Sequence, residues 1–523
     1  MAATPYDEAV PLESDCELLV VGGGINGAGI ARDAAGRGLS VLLCEQHDLA
    51  AHTSSASTKL IHGGLRYLEY YEFRLVRKAL AEREVLLRSA PHIIWPLSFV
   101  MPHARGQRPA WLIRAGLFLY DHLARRELLP ASHGIDLRKH VAGQPLKPEF
   151  RRGFVYADGW VDDARLVVLN AIDAKEHGAR IHTRTRCTAL LRDGQYWRAT
   201  LQHGDGRQST VRARAVVNAA GPWTSDFLQQ AAPGNHRQHV RLIKGSHIVV
   251  KRLFAHDHAY IFQHHDGRIV FAIPYEHDFT LIGTTDLDYH GDSARVEIDA
   301  AEIAYLCALS SEYFSQPIVP ADVVWTYAGL RPLVEEAAAS QEDAKAVTRD
   351  YRFELDQEGH GPPLLSIFGG KITTFRKLAE EALDLLAPLL GNKHGAWTEN
   401  ACLPGGDLFG SEPSNRSVRE FGQFVLALQR QYGWLPAALV ARYARAYGSR
   451  THVLLAGRSS VPEMGEEIAA SLYAAEVDYL QRHEWAVSAD DILWRRSKLG
   501  LHLPPETAAR LESWLQDHPY KNT

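Results

Sequence analysis

The sequence predicts an α/β fold class: a domain built on a parallel sheet, an α+β region with an antiparallel sheet, and an all-α C-terminal domain. Three observations predict it. Between Glu17 and Cys44 a strand, a glycine-rich turn, a helix and a second strand follow one another. That order is a βαβ unit, which implies a parallel sheet. From Arg241 to Thr284 short strand-like runs follow closely, at the spacing of an antiparallel sheet. After Leu403-Pro404-Gly405-Gly406-Asp407 the apolar residues recur at helical spacing.

Leu18 to Val21 is an apolar run ending directly in glycines, Ile25 to Arg37 reads as a helix with small residues on one side, and Ser40 to Cys44 is a second strand. Val211 to Ala220 is strand-like and ends in Gly221-Pro222. Ser246 to Val250, Tyr260 to Gln263, Ile269 to Ile273 and Thr280 to Gly283 form the antiparallel group, and Leu364 to Phe368 is another strand ending in glycines. Val418, Phe421, Val425 and Leu428 share one helical face, as do Ile468, Leu472, Ala475 and Tyr479.

A chain of 523 residues exceeds what one core supports, so two or three domains are expected. With 46% hydrophobic and 23% charged residues the balance is that of a globular protein. A formal charge of -5 and no long Lys/Arg run argue against a nucleic-acid partner, whose phosphates need neutralising. Cys16, Cys44, Cys187, Cys307 and Cys402 are far apart and lack metal-like spacing, as expected of reduced thiols in a cytoplasmic protein with no metal site. The acidic start resembles no signal or presequence, and no run of about 18 apolar residues is present to span a bilayer.

Gly22-x-Gly24-x-x-Gly27 matches the dinucleotide fingerprint in its required setting, after a strand and opening a helix. Gly22 permits the tight turn, Gly24 lets the backbone approach a pyrophosphate, and Gly27 allows close helix–strand packing. Asn26 lies in the same turn, where the helix N-terminus offers free N–H groups to phosphate. Glu45, at the end of the second strand, can accept from ribose hydroxyls and disfavours the extra phosphate of NADP. Two features favour FAD over NAD. The loop Thr53-Ser54-Ser55-Ala56-Ser57-Thr58-Lys59 can hydrogen-bond a pyrophosphate and a flavin edge. The run Gly369-Gly370-Lys371-Ile372-Thr373-Thr374 repeats the strand–glycine–helix order, and a helix N-terminus favours negative charge on a flavin. No residue demands covalent attachment, so FAD is expected to bind non-covalently.

The run Ser54 to Leu68, with Ser57-Thr58-Lys59-Leu60-Ile61-His62-Gly63-Gly64-Leu65-Arg66-Tyr67, resembles the signature of the FAD-dependent, NAD-independent glycerol-3-phosphate dehydrogenases. So do Asn218-Ala219-Ala220-Gly221-Pro222-Trp223, Ile243-Lys244-Gly245-Ser246-His247 and Gly283-Thr284-Thr285-Asp286. Gly329-Leu330-Arg331-Pro332-Leu333, Thr348-Arg349-Asp350-Tyr351 and Gly369-Gly370-Lys371 continue the match in order, and it looks closest to the bacterial aerobic type. The resemblance implies oxidation of sn-glycerol 3-phosphate to dihydroxyacetone phosphate, with electrons passing through FAD to a membrane quinone. It also implies peripheral attachment to the cytoplasmic face of the membrane and a homodimer. The fold implied is a glutathione-reductase-like FAD domain interleaved with the antiparallel substrate domain over 1–402, and a helical cap over 403–523. The FAD segments would be about 15–90, 150–235 and 345–395, and the substrate segments about 91–149 and 236–344.

A phosphate dianion needs fixed cations, and arginine's planar fork suits its oxygens. Arg331 and Arg349 sit in loop-like contexts. By resemblance Arg66, Tyr67, Arg331, Arg349 and Lys371 face the substrate, with Lys371 alternatively serving the flavin. Oxidising a secondary alcohol requires a base with a pKa near neutrality. His247 is the candidate, with Arg331 stabilising the developing alkoxide and His62 as a rival. Gly221, Gly370 and Thr373 complete the expected cofactor contacts. Thr284 and Thr285 are candidate substrate contacts or simply a turn. Asp158 and Asp162 read as a turn and a helix cap rather than as metal ligands.

Trp111, Leu112, Ala115, Phe118 and Leu119 fall on one helical face opposite Arg114 and Asp121, with Arg105 and Arg108 upstream. Such a helix either packs into a core or lies in a lipid interface. Rival readings are a glycerol-3-phosphate oxidase that passes electrons to oxygen, an amine oxidase of similar architecture, and a non-catalytic flavin-binding protein.

Overall fold

The computed structural model describes residues 12–104, 107–231, 239–264, 267–335, 350–357 and 359–519. Strand Leu12–Val21 lies between two parallel neighbours, Gln208–Asn218 and Val41–Cys44. Its Leu18, Leu19 and Val20 are fully buried, as expected for a strand covered on both faces. Arg180–His182 extends the parallel sheet beyond Val41–Cys44, and Leu364–Phe368 extends it beyond Gln208–Asn218. Arg352–Asp356 closes that edge antiparallel to Leu364–Phe368, and the hairpin Thr185–Asp193/Tyr196–His203 joins Gln208–Asn218 antiparallel. Helix Ile25–Gly36 packs against helices Asp163–Glu176 and Phe375–Leu390. The βαβ unit at the N-terminus is therefore as the sequence predicts, to within a residue at each boundary except the start of the first strand, which begins at Leu12 rather than at Glu17.

The second sheet has ten strands. His239–Lys251 pairs antiparallel with Val323–Glu335 and with Phe279–Gly283, which continues antiparallel through Ile269–Tyr275 to Ala259–Gln263. The predicted antiparallel group is present. The sheet then continues through Ile94–His103 to Arg152–Val161. Arg152–Val161 and Leu60–Ile61 pair in this sheet, although they fall within segments expected to belong to the parallel one. Asp158 is also not in a turn. It lies mid-strand, 3% exposed, with Arg83 Nη1 2.5 Å from its carboxylate. Burial and a charged partner hold Asp158-Gly159 extended where local propensity favours a turn.

The C-terminal domain has its own core around Tyr443, Tyr447, Leu472, Leu480 and Leu511. It is helical, with one exception. Ile468 and Leu472 belong to a small hairpin, Glu467–Ala469 with Leu472–Tyr473, and the helix starts only at Ala474. A buried hairpin and a buried helix place apolar residues at overlapping spacings, so periodicity does not separate them.

Candidate functional site

Strands Leu12–Val21, Val41–Cys44, Gln208–Asn218 and Leu364–Phe368 all end on the same side of the parallel sheet, where a ligand crevice forms in such folds. A cavity of about 1590 Å³ opens there. Its floor is the glycine turn. Gly22 has φ +112°, and a Cβ on it would lie 2.5 Å from the Ala219 carbonyl oxygen. A Cβ on Gly27 would lie 1.9 Å from the Gly22 carbonyl oxygen, so that glycine secures packing and does not itself line the cavity.

Gly22, Gly24, Asn26 and Glu45 line the cavity. The Ser54 hydroxyl accepts from the Ile25 N–H at 3.0 Å, at the start of the helix. Asn26 donates to the Gly369 carbonyl at 3.1 Å, joining the two glycine turns, and its Oδ1 has no hydrogen-bond partner among the described residues. Glu45 is buried, which raises its pKa, while the backbone N–H groups of Gly23 and His47 donate to its carboxylate at 2.6 and 2.7 Å. A glycine cradle, a helix N-terminus, an acid at the second strand's end and an unpartnered amide oxygen fit a dinucleotide.

Thr53, Ser54, Ser57, Gly221 and Gly370 also border the cavity. Ser55, Lys59 and Thr373 do not. Ser55 donates to the His52 carbonyl, and the Thr373 hydroxyl accepts from the His62 N–H. Lys59 is 1% exposed, with its ammonium 2.7 Å from Asp163 and 3.0 Å from the Ser55 carbonyl. Asp162 caps its helix as predicted, accepting from the Arg165 N–H at 3.2 Å.

Beyond the glycine turns the cavity wall carries Arg66, Tyr67, His247, Arg331 and Lys371 together, with His62 and Thr284. Arg349 and Arg105 lie outside the described residues. Arg331 is a strand residue within Val323–Glu335 rather than a loop residue, opposite Ile243 in the ladder. Its guanidinium donates to the Thr285 carbonyl at 3.1 Å and lies 3.5 Å from Asp286. The Lys371 ammonium lies 3.9 Å from the centre of the Tyr67 ring, an attraction of cation to ring face. Thr285 is taken up structurally, bonded to Glu302 at 2.8 Å.

His247 faces both Gly283 and Tyr327 in its sheet. It stacks on Tyr327 at 4.6 Å and 14°, and its Nε2 lies 3.0 Å from the Thr58 hydroxyl. Its Nδ1 has no hydrogen-bond partner among the described residues. Burial, then the charges of Lys59 and Arg331, push its pKa well below the ordinary histidine value. The same burial and charges that lower it hold the ring in its neutral form. Burial also lowers the pKa of His62. Sequence reasoning missed Thr58 as the partner of His247. It also missed the buried unit of Arg83, Asp158 and Tyr120, whose hydroxyl donates to Asp158 at 2.8 Å. The only signal for Thr58 was membership of a motif, and Arg83 and Tyr120 carried none.

Leu68, Tyr71 and Phe73 also line the cavity, as do Leu112, Gly116 and Leu119 of helix Ala110–His122. On that helix Trp111, Leu112, Ala115, Phe118 and Leu119 are all exposed, while Leu117 and Tyr120 are buried. The amphipathic reading placed this face correctly, and among the described residues no core covers it.

The family model for FAD dependent oxidoreductases matches residues 17–376, and the model for the C-terminal domain of alpha-glycerophosphate oxidase matches 396–514. A glycerol-3-phosphate dehydrogenase of Pseudomonas aeruginosa is 54% identical over 517 residues, covering 99% of this chain and 98% of the relative. The chain belongs to the FAD-dependent glycerol-3-phosphate dehydrogenase family. A second member of this group of relatives, D-erythritol 1-phosphate dehydrogenase of Brucella abortus, is 48% identical over 503 residues, covering 96% of this chain and 98% of that one. Among solved structures, the glycerol-3-phosphate dehydrogenase from Bacillus halodurans complexed with FAD superposes with a TM-score of 0.76 at 27% identity, covering 97% of this chain and 91% of that one. The family's cofactor is FAD, in agreement with the glycine turns and the cavity they border.

Proposed function

We propose that the protein oxidises sn-glycerol 3-phosphate to dihydroxyacetone phosphate, with hydride transfer to non-covalently bound FAD and a membrane quinone as final acceptor. The observation that carries this reading is that Arg66, Arg331, Lys371 and the buried His247 line one cavity, which the glycine turns also border. Gly22, Gly24 and the backbone N–H of Asn26 would receive the pyrophosphate, Glu45 the ribose, and the Thr53–Ser57 loop with Gly370 the flavin side. Bound there, FAD supplies a two-electron acceptor for the hydride of the carbinol carbon.

The chain's own residues do the rest. Arg66 and Lys371, with Arg349 by resemblance, bind the phosphate dianion, and Tyr67 orients Lys371. His247 takes the hydroxyl proton, while Thr58 and Tyr327 fix the ring. The Arg331 guanidinium stabilises the developing alkoxide.

The apolar side chains that helix Ala110–His122 contributes to the cavity wall, and the exposed face of that helix, favour a quinone over oxygen as acceptor. A lipid-soluble acceptor needs an apolar path, and a helix with exposed tryptophan and phenylalanine suits a lipid interface. Peripheral attachment at the cytoplasmic face and a homodimer complete the proposal. No helix among the described residues is long and apolar enough to cross a membrane.

Anaerobic addition of glycerol 3-phosphate while flavin absorbance is followed tests this reading. Bleaching is expected, and a flavin that stays oxidised refutes it. The relation to D-erythritol 1-phosphate dehydrogenase favours a longer polyol phosphate as a second reading. Faster bleaching by erythritol 1-phosphate than by glycerol 3-phosphate would establish it. Stoichiometric hydrogen peroxide in air would instead identify an oxidase.

A further inference from the structure

The segment that follows the second strand is gripped from the far end of the chain. Asp48 is 3% exposed and Arg496 is 1% exposed. Arg496 donates to the Asp48 carboxylate through Nη1 at 2.5 Å and Nη2 at 2.8 Å, and Arg495 Nε adds a third bond at 2.7 Å. Arg495 is itself fixed by Asp491, whose carboxylate also accepts from Arg184 at 2.6 Å. The Arg184 N–H donates to the His47 carbonyl at 2.7 Å. From residues 45–48 the network runs inward. The Glu45 carboxylate accepts from the Gly23 N–H in the glycine turn, and Glu45 and Gln46 border the cavity.

We infer that the C-terminal domain retains FAD through Asp48. The Arg495–Arg496 pair fixes residues 45–48, and these in turn fix the glycine turn and the wall beside it. Asp48 is a positioning residue and does not itself line the cavity. The inference gives the C-terminal domain, which carries no catalytic constellation, a part in the site at the opposite end of the sequence. It rests on the reading that the adenosine half of FAD lies along Glu45. Because the bonded carboxylate and guanidinium are buried, salt screens the grip little.

FAD release from the diluted holoenzyme, followed as a rise in flavin fluorescence, tests the inference. Asp48→Asn is expected to speed release about tenfold, equivalent to about 1.4 kcal/mol of lost binding. Glu176→Gln breaks the Arg450–Glu176 pair at the same domain junction, away from residues 45–48 and from the Arg495–Arg496 pair, and it is expected to leave release within about twofold. Glu45→Gln, on the cavity wall, is expected to speed release directly. Thermal unfolding of each variant, followed by circular dichroism, separates loosening of the junction from loosening of the cofactor. Equal acceleration by Asp48→Asn and Glu176→Gln at matched loss of Tm overturns the inference. So does an unchanged rate in Asp48→Asn beside a raised one in Glu45→Gln. An unchanged rate in Glu45→Gln refutes the placement of adenosine and the inference with it. If Asp48→Asn yields no folded holoenzyme, Arg495→Gln decides, since it spares both Arg496 bonds. A release rate raised about threefold is expected there, and no change overturns the inference.

Discussion

Replacing Phe118 by aspartate should detach the protein from lipid while sparing its chemistry. Phe118 is 57% exposed and its ring meets only the His122 ring among the aromatic rings of the described residues, so the folded state loses little. A large aromatic side chain carries about 200 Å² of surface, and the exposed fraction is then roughly 110 Å² available to the bilayer. At about 25 cal/mol per Å² that burial contributes about 2.8 kcal/mol. Losing it lowers partitioning about 100-fold, before the cost of bringing a carboxylate to the interface. Co-sedimentation with liposomes of mixed zwitterionic and anionic lipid measures the loss. Reduction of a soluble dye measures the chemistry. Binding within about threefold of the parent protein, with normal dye reduction, would refute the membrane role of this face, because a shift of ~0.7 kcal/mol is far below the area estimate.

Three further outcomes are expected. Gly27→Ala puts a Cβ 1.9 Å from the Gly22 carbonyl oxygen, so the purified variant should contain little flavin by absorbance; a full complement would show that the turn relaxes at little cost. Asp163→Asn leaves the Lys59 ammonium, 1% exposed, without its charged partner. Breaking one side of such a buried pair costs about 3–5 kcal/mol, to be read as a lower denaturant midpoint, and an unchanged midpoint would contradict it. His247→Asn should slow flavin reduction by glycerol 3-phosphate. In the parent enzyme the folded pKa of His247 is depressed below 6.5 by burial, so the basic form is fully present above that value and is lost only as pH falls toward the depressed one. The reduction rate should therefore be flat upward from about pH 6.5 with its His247 limb in acid. A limb centred at the ordinary histidine pKa would rule out His247 as the base.

How much of this was legible in the sequence depends on whether the controlling contacts are local. The glycine turn, its helix and Glu45 sit within one supersecondary unit, and their spacing encodes their geometry. The grouping of Trp111 and Phe118 on one face of Ala110–His122 was legible for the same reason, but its exposure was not, since a core-packed helix carries the same pattern and only the structure shows Leu117 and Tyr120 as the buried side. Lys59 was not. In sequence it continues a hydroxyl-rich loop, and only Asp163, brought in by another helix, turns it away from the cavity. Asp158 shows the same limit, because Asp-Gly is a turn signal until Arg83 and a paired strand claim it. Arg331 looked like a loop residue because Pro332 follows it, yet the ladder runs through both. His247 and Arg331 were singled out by motif, and their shared cavity depends on sheet pairing that no local pattern reports.

The Asp48–Arg496 contact bears on how the protein matures. Its two ends are separated by 448 positions, and the strand that flanks Gln208–Asn218 on its outer side comes only at Leu364–Phe368. The nucleotide fold at the start of the chain therefore stays incomplete during most of synthesis. FAD has its finished seat only when almost the whole polypeptide has left the ribosome. A nascent chain stalled anywhere before Arg496 is expected to hold the cofactor loosely, so loading with flavin belongs to the last stage of assembly.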